Sequence, residues 1–306
     1  MNKIGYPCIN YSIGCKPDSS FILRNYSKKR FLYVTRKNLE CLFKILEFNL
    51  KNNILFFRIS SDIIPFASHP ICNVNWIKEF KDLFEEIGYF IRKNDIRISM
   101  HPDQFVVLNS ENKSVLKNSI RELIYHAEFL DALNLDEKAK IQIHVGGLYD
   151  DKDLSIKRFI KNYNKLPEIV KRRLVIENDE KNYSVKDCLK IYEEIGIPIV
   201  FDNLHHEVLN NGEDIREAMI MCFKTWQEKD GLPMIDYSQQ NKKKRRGSHA
   251  ETLDPKEFRL FVEKVKDLKF DIMLEIKDKE KSALKALKIL KELNIIRKMK
   301  INKNNR

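Results

Sequence analysis

The chain has 306 residues, a formal net charge of +12 and 43% hydrophobic residues, enough for one large core, since an α/β barrel uses about 250 residues as a single domain. Charges interrupt every apolar stretch short of the roughly 20 residues that span a bilayer. Met1 to Tyr6 has no secretory pattern and the six cysteines show no CxxC pairing, so we expect a cytoplasmic protein with reduced thiols, no membrane association and no obligate protein partner. The basic excess would neutralise phosphates, but lysine- and asparagine-rich usage and solvated loops also account for it, so charge alone does not establish a nucleic-acid partner.

Taken in chain order, short β-branched runs alternate with amphipathic stretches. A strand is expected over Lys3 to Pro7, then a long loop to Lys29 and a helix over Arg36 to Leu50. Ile54 to Ser61 precedes a helix over Trp76 to Lys93, and Arg97 to Pro102 one over Lys113 to Leu133. Lys140 to Gly146 is followed by Ser155 to Leu166, Arg173 to Asp179 by Val185 to Ile195, and Pro198 to His205 by Asp214 to Trp226. Leu232 to Ser238 leads through a long loop, Gln239 to Thr252, into Pro255 to Val265, and Phe270 to Lys277 into Ser282 to Leu293. This alternation predicts an α/β fold, a TIM (β/α)8 barrel forming one domain over residues 1–297, rather than an open doubly wound sheet. Lys298 to Arg306 reads as a basic tail.

Metal-ligand side chains recur at the ends of six consecutive strands: His101, His144, Glu177, Asp202 with His205, Asp236 and Glu275. Five of the seven histidines, His69, His101, His144, His205 and His249, fall at or just after strand ends. One buried histidine is ordinarily a hydrogen-bonded core residue, but carboxylates converging on one barrel mouth repel each other unless cations lie between them. Mixed nitrogen and oxygen donors suit Mn²⁺ or Zn²⁺, with Mg²⁺ an alternative, and two or three ions suit phosphodiester hydrolysis. The same ligands could isomerise a sugar, and the residues alone barely separate these chemistries. The run Lys242, Lys243, Lys244, Arg245 and Arg246 is a candidate phosphate contact.

Six fragments spread along the chain resemble the ultraviolet damage endonuclease family: Gly5-Tyr6-Pro7-Cys8-Ile9-Asn10, Ser99-Met100-His101-Pro102-Asp103-Gln104-Phe105, Ile143-His144-Val145-Gly146-Gly147, Ile176-Glu177-Asn178-Asp179, Asp202-Asn203-Leu204-His205-His206 and Gly247-Ser248-His249-Ala250. The resemblance implies a barrel like those of endonuclease IV and xylose isomerase, a cluster of up to three ions, commonly manganese, and damaged double-stranded DNA as partner. It implies nicking immediately 5′ of cyclobutane pyrimidine dimers, (6-4) photoproducts and often abasic sites, leaving a 3′-hydroxyl and a 5′-phosphate. By residue, it implies that His101, His144 and Glu177 hold a first ion, Glu177, Asp202, Asp236 and Glu275 a second, and His205 with His249 a third. His69 would stand close to the metals in a catalytic supporting role. Gln104-Phe105 corresponds to a Gln-Tyr wedge that probes the base stack, and Tyr6 and Asn10 to positions near the flipped lesion.

The seventh strand departs from the family's Pro-Lys-x-His pattern, with Met234 for the lysine, which can be carboxylated there, and Asp236 for the histidine. If Asp236 is a ligand, the second ion has an all-oxygen shell that favours Mn²⁺ or Mg²⁺ over Zn²⁺; alternatively it pairs with a basic residue. An endonuclease IV-like abasic-site enzyme, a sugar isomerase and a non-catalytic DNA-binding barrel remain as alternatives.

Overall fold

The β-branched runs become strands because an all-parallel sheet is covered on both faces and rewards continuous apolar sequence. The computed structural model describes residues 3–149 and 151–295, so the basic tail lies outside the described residues. Eight parallel strands, β1 (Ile4–Pro7), β2 (Phe56–Ile59), β3 (Arg97–Met100), β4 (Lys140–His144), β5 (Leu174–Glu177), β6 (Ile199–Asp202), β7 (Met234–Tyr237) and β8 (Asp271–Leu274), close into a barrel in sequence order. β8 returns to β1 through the pairs Ile4↔Ile272 and Gly5↔Met273. Glycine is required at position 5, where a Cβ would stand 2.2 Å from the Phe56 carbonyl oxygen.

Around the barrel lie α1 (Lys28–Lys51), α2 (Trp76–Glu79), α3 (Lys81–Lys93), α4 (Lys113–Ala132), α5 (Lys152–Tyr163), α6 (Glu168–Lys171), α7 (Val185–Ile195), α8 (Asn203–Val208), α9 (Ile215–Phe223), α10 (Pro255–Val265) and α11 (Glu280–Glu292). Side-chain caps set many starts: Ser27, Asn112, Asp151, Asp214 and Asp254 each accept a first-turn N–H, and Ser184 forms a capping box with Asp187. The Ser27 cap explains why α1 begins well before the expected Arg36. The expected helix over Trp76 to Lys93 divides at Phe80, and α6 and α8 are short helices not anticipated.

Two expectations are corrected. The sixth strand ends at Asp202, whose side chain accepts the His205 backbone N–H and caps α8, so His205 is presented by a helix rather than by the strand. Cys15 and Cys41 form a disulfide, Cα to Cα 5.9 Å, tying the first loop to α1, while Cys8, Cys72, Cys188 and Cys222 are free; chain folding brings together cysteines that are 26 residues apart. No helix among the described residues is long and apolar enough to cross a membrane.

Two cores result. The larger fills the space between strands and helices. Inside the barrel, Phe56, Val175, Val200, Met234 and Met273 form an apolar layer against which Trp226 packs. Strand side chains alternate between faces, so residues two positions further on share the interior and stand nearer the C-terminal mouth.

Candidate metal centre

Two residues beyond that apolar layer stand Arg58, Glu177, Asp202, Asp236 and Glu275, with Gln142 from β4, all but Glu275 buried. Donor atoms converge in three groups, each within 4.8 Å: His101, His144 and Glu177; Glu177, Asp202 and His205; and Asp202, Asp236 and Glu275. Glu177 divides its oxygens between the first two groups. Oε2 lies 3.3 Å from His101 Nε2 and 3.8 Å from His144 Nε2, while Oε1 lies 3.0 Å from His205 Nδ1. His205 therefore groups with Glu177 and Asp202, whereas His249 sits at the edge, its Nδ1 3.6 Å from Glu275 Oε2 and its ring 6.2 Å from that of His205.

The carboxylates cannot all ionise easily in so small a buried volume. Burial would raise Glu177, but the imidazoles of His144, His101 and His205 overcome it and hold the carboxyl well below its usual range. Burial would likewise raise Glu275, yet Arg58 and His249 bring it to about 2. Asp202 is pushed by burial to about 7 and Asp236 well above the ordinary carboxylate range, each also repelled by Glu177 and Glu275. His205, despite burial, is raised to about 11 by Asp202 and Glu177. Within the ligand set, two buried polar atoms have no hydrogen-bond partner, Asp202 Oδ2 and His144 Nδ1. Such orphaned atoms are costly unless something else satisfies them. Divalent cations fit both the carboxylate oxygen that lacks a hydrogen bond and the gathering of carboxylates.

Arg58 was missed in the sequence. It donates through Nη2 to Asp236 Oδ1 (2.6 Å) and Gln142 Oε1 (2.9 Å) and through Nη1 to Glu275. Gln142 Nε2 in turn donates to Asp236 Oδ2 (2.6 Å) and to Glu177. An arginine and a glutamine inside apolar strand runs were the available signal, because a parallel strand seldom buries such groups without a role. Met234 lies one layer below, in the apolar interior.

Other expected residues separate clearly. Gln104 and Phe105 are exposed at a turn after β3, Phe105 56% accessible, beside a recess of about 210 Å³ lined by residues including His101, Gln104, His144, Gly147 and Glu180. Lys242, Lys243, Lys244, Arg245 and Arg246 are exposed on the loop after β7, closed by a bridge between Gln240 and His249. Lys242 pairs with Glu257 and Lys244 with Glu251, both at 3.2 Å, and Arg246 donates to the Glu207 carbonyl. His69 is exposed, accepts the Ile71 N–H through Nδ1 and makes no bond to the cluster. Tyr6 and Asn10, expected near the flipped lesion, are both buried, with Asn10 donating to the Tyr6 hydroxyl (2.7 Å), which donates to Asn49 (2.6 Å). Without DNA, their side-chain hydrogen bonds are made within the protein.

The family profile UV-endonuclease UvdE matches residues 19–304. The chain belongs to the UvdE family of endonucleases. With it the chain is a phosphodiester hydrolase. A UV DNA damage endonuclease of Clostridium perfringens is 46% identical over 294 residues, covering 95% of this chain and 71% of that protein. One from Bacillus cereus is 34% identical over 295 residues, covering 94% and 92%. Among solved structures, SacUVDE superposes with a TM-score of 0.92 at 52% identity, covering 96% of this chain and 99% of the other. Endonuclease IV of Thermus thermophilus, at 15% identity and a TM-score of 0.57, shares the fold, as does a D-psicose 3-epimerase at 11% and 0.54. Membership of the family separates the chain from the sugar isomerases that its ligand types alone left open.

Proposed function

We propose that this protein nicks double-stranded DNA immediately 5′ of ultraviolet photoproducts, cyclobutane dimers and (6-4) products, and at abasic sites, leaving a 3′-hydroxyl and a 5′-phosphate. The observation that supports it most is the bridging position of Glu177 between two sets of nitrogen and oxygen donors at a barrel mouth. His101, His144 and Glu177 would hold one divalent ion and Glu177, Asp202 and His205 another, with Glu275 and His249 at the edge; manganese suits this mixed donor set. Bound there, the ions would supply Lewis acidity for water activation and neutralise charge on the phosphate and the leaving oxygen.

The chain's own residues supply orientation and access. Asp202 caps α8 and so aims the His205 ring at Glu177. Gln142 holds the Glu177 carboxylate from below. The Phe105 ring, exposed beside the recess, supplies an apolar face that can enter the gap left by an unstacked base, with Gln104 able to bond base edges. The basic loop after β7 lies at the same end and supplies phosphate contacts without reading sequence.

Manganese-loaded protein should convert ultraviolet-irradiated supercoiled plasmid to the nicked form and leave unirradiated plasmid closed, and DNA ligase should reseal the nick directly. Equal nicking of both plasmids, or ends that ligase cannot join, would refute this reading.

A further inference from the structure

Three donor groups crowd the barrel mouth, but they are not equivalent. Glu177 offers one oxygen to each of the first two groups. In the third, Asp202, Asp236 and Glu275, a cation is already built in. The Arg58 guanidinium is 3% exposed and forks between two of the three carboxylates, Nη2 to Asp236 Oδ1 at 2.6 Å and Nη1 to Glu275. Asp236 has its second oxygen engaged as well, by Gln142 Nε2 at 2.6 Å. Both carboxylate oxygens of Asp236 therefore accept charge-assisted or amide hydrogen bonds, and its side chain is fully buried. Asp202 differs: its Oδ1 accepts a backbone N–H, but its buried Oδ2 accepts no hydrogen bond and faces His205 Nδ1 at 3.7 Å, within the second donor group.

The geometry points to a centre of two ions and one guanidinium, in which Arg58 occupies the place of a third ion between Asp236 and Glu275, and Asp236 is a positioning residue rather than a metal ligand. This rests on the reading that the Glu177 groups bind divalent metal. A permanently charged guanidinium in direct contact with both carboxylates repels a divalent ion approaching the same oxygens, and it cannot leave by deprotonation. Electrostatic balance agrees: with ions bound to hold them deprotonated, the four carboxylates Glu177, Asp202, Asp236 and Glu275, offset by one guanidinium, would carry enough negative charge for two divalent ions with a small positive excess facing the phosphate. The departure at position 236 also gains a reason. A histidine has no second acceptor to take both the arginine and the glutamine, whereas aspartate accepts from each at once. Met234, one layer below, packs with Phe56 and Val175 and offers no donor to an ion.

Crystals of the wild-type protein loaded with Mn²⁺ test this directly. Anomalous difference maps should show two peaks, one on each side of Glu177, and none between Asp236 and Glu275; elemental analysis should return two ions per chain. Among variants shown by circular dichroism to be folded, Asp236→Asn should keep two ions, Asp202→Asn should lose one, and Arg58→Ala should gain a third. A wild-type peak against Asp236, an ion lost from Asp236→Asn, or an unchanged count in folded Arg58→Ala overturns the assignment. The wild-type map does not depend on any variant folding. No peak at all would instead overturn the metal reading on which the assignment rests, whereas a third peak would leave that reading intact.

Discussion

At the residue scale, Glu177 is the single side chain through which two donor groups meet. Glu177→Gln keeps the shape and removes the charge that both groups share, so nicking should fall on the order of 10³-fold while binding to irradiated DNA is retained, as a gel-shift beside a plasmid assay would show. Gln142→Leu removes the donor beneath Glu177 and Asp236, and an outer partner of this kind is worth roughly 10- to 100-fold in metal affinity or activity. Competition with a fluorescent chelator measures it. Away from the centre, burial raises Glu122 from its ordinary 4.5 to about 7. The fold therefore holds a proton that the unfolded chain releases earlier, and stability should decline as pH rises from about 4.5 to about 7. Glu122→Gln should flatten that part of a urea-midpoint profile. The ligand types at strand ends could be read from the sequence because burial of a charged residue in a parallel strand is itself a local anomaly. The partners of Asp236 could not, since Arg58 is 178 positions away.

At the element scale, the connections after β3 and β7 carry the surface proposed to meet DNA. Their lengths were visible in the sequence, but which of their charges are free was not. Lys242 and Lys244 have acidic partners, whereas Lys243 and Arg245 have no side-chain ion pair among the described residues. Replacing Lys243 and Arg245 with alanine should weaken binding to irradiated and intact DNA alike and reduce the salt slope by about 1 for each phosphate no longer neutralised. Gln104→Ala with Phe105→Ala should instead erode discrimination between the two DNAs, because a wedge acts only where stacking is already weakened. Equal losses on both substrates in a fluorescence-anisotropy titration would contradict that role. Helix starts follow the same logic of local chemistry: Ser184→Ala removes one side of the α7 capping box and should cost about 1 kcal/mol in urea unfolding.

At the scale of the whole molecule, the two ends of the barrel solve opposite problems. The N-terminal end is closed by ion pairs: Asp271 accepts Arg97 at 2.6 Å and the Lys3 N–H at 2.9 Å, and Lys140 pairs with Asp230. Asp271→Ala would leave Arg97 buried and unpaired, which should cost about 3–5 kcal/mol with little change in the urea m-value. The C-terminal end gathers carboxylates, so chelation should lower the melting temperature as well as stop nicking, and added Mn²⁺ should restore both. What the sequence determined by itself was what short-range pattern controls: the alternation of β-branched and amphipathic runs, hence the barrel, and the period-two placement of ligand types at its mouth. It read His205 as part of a strand because the six-residue helix that Asp202 caps follows the strand directly, with no intervening loop to mark the boundary. Only the tertiary structure decided that Tyr6 and Asn10 turn inward, that Cys15 meets Cys41, and that Arg58 and Gln142 stand among the carboxylates. Those outcomes depend on which distant strands and loops become neighbours when the barrel closes, and no local periodicity encodes that proximity.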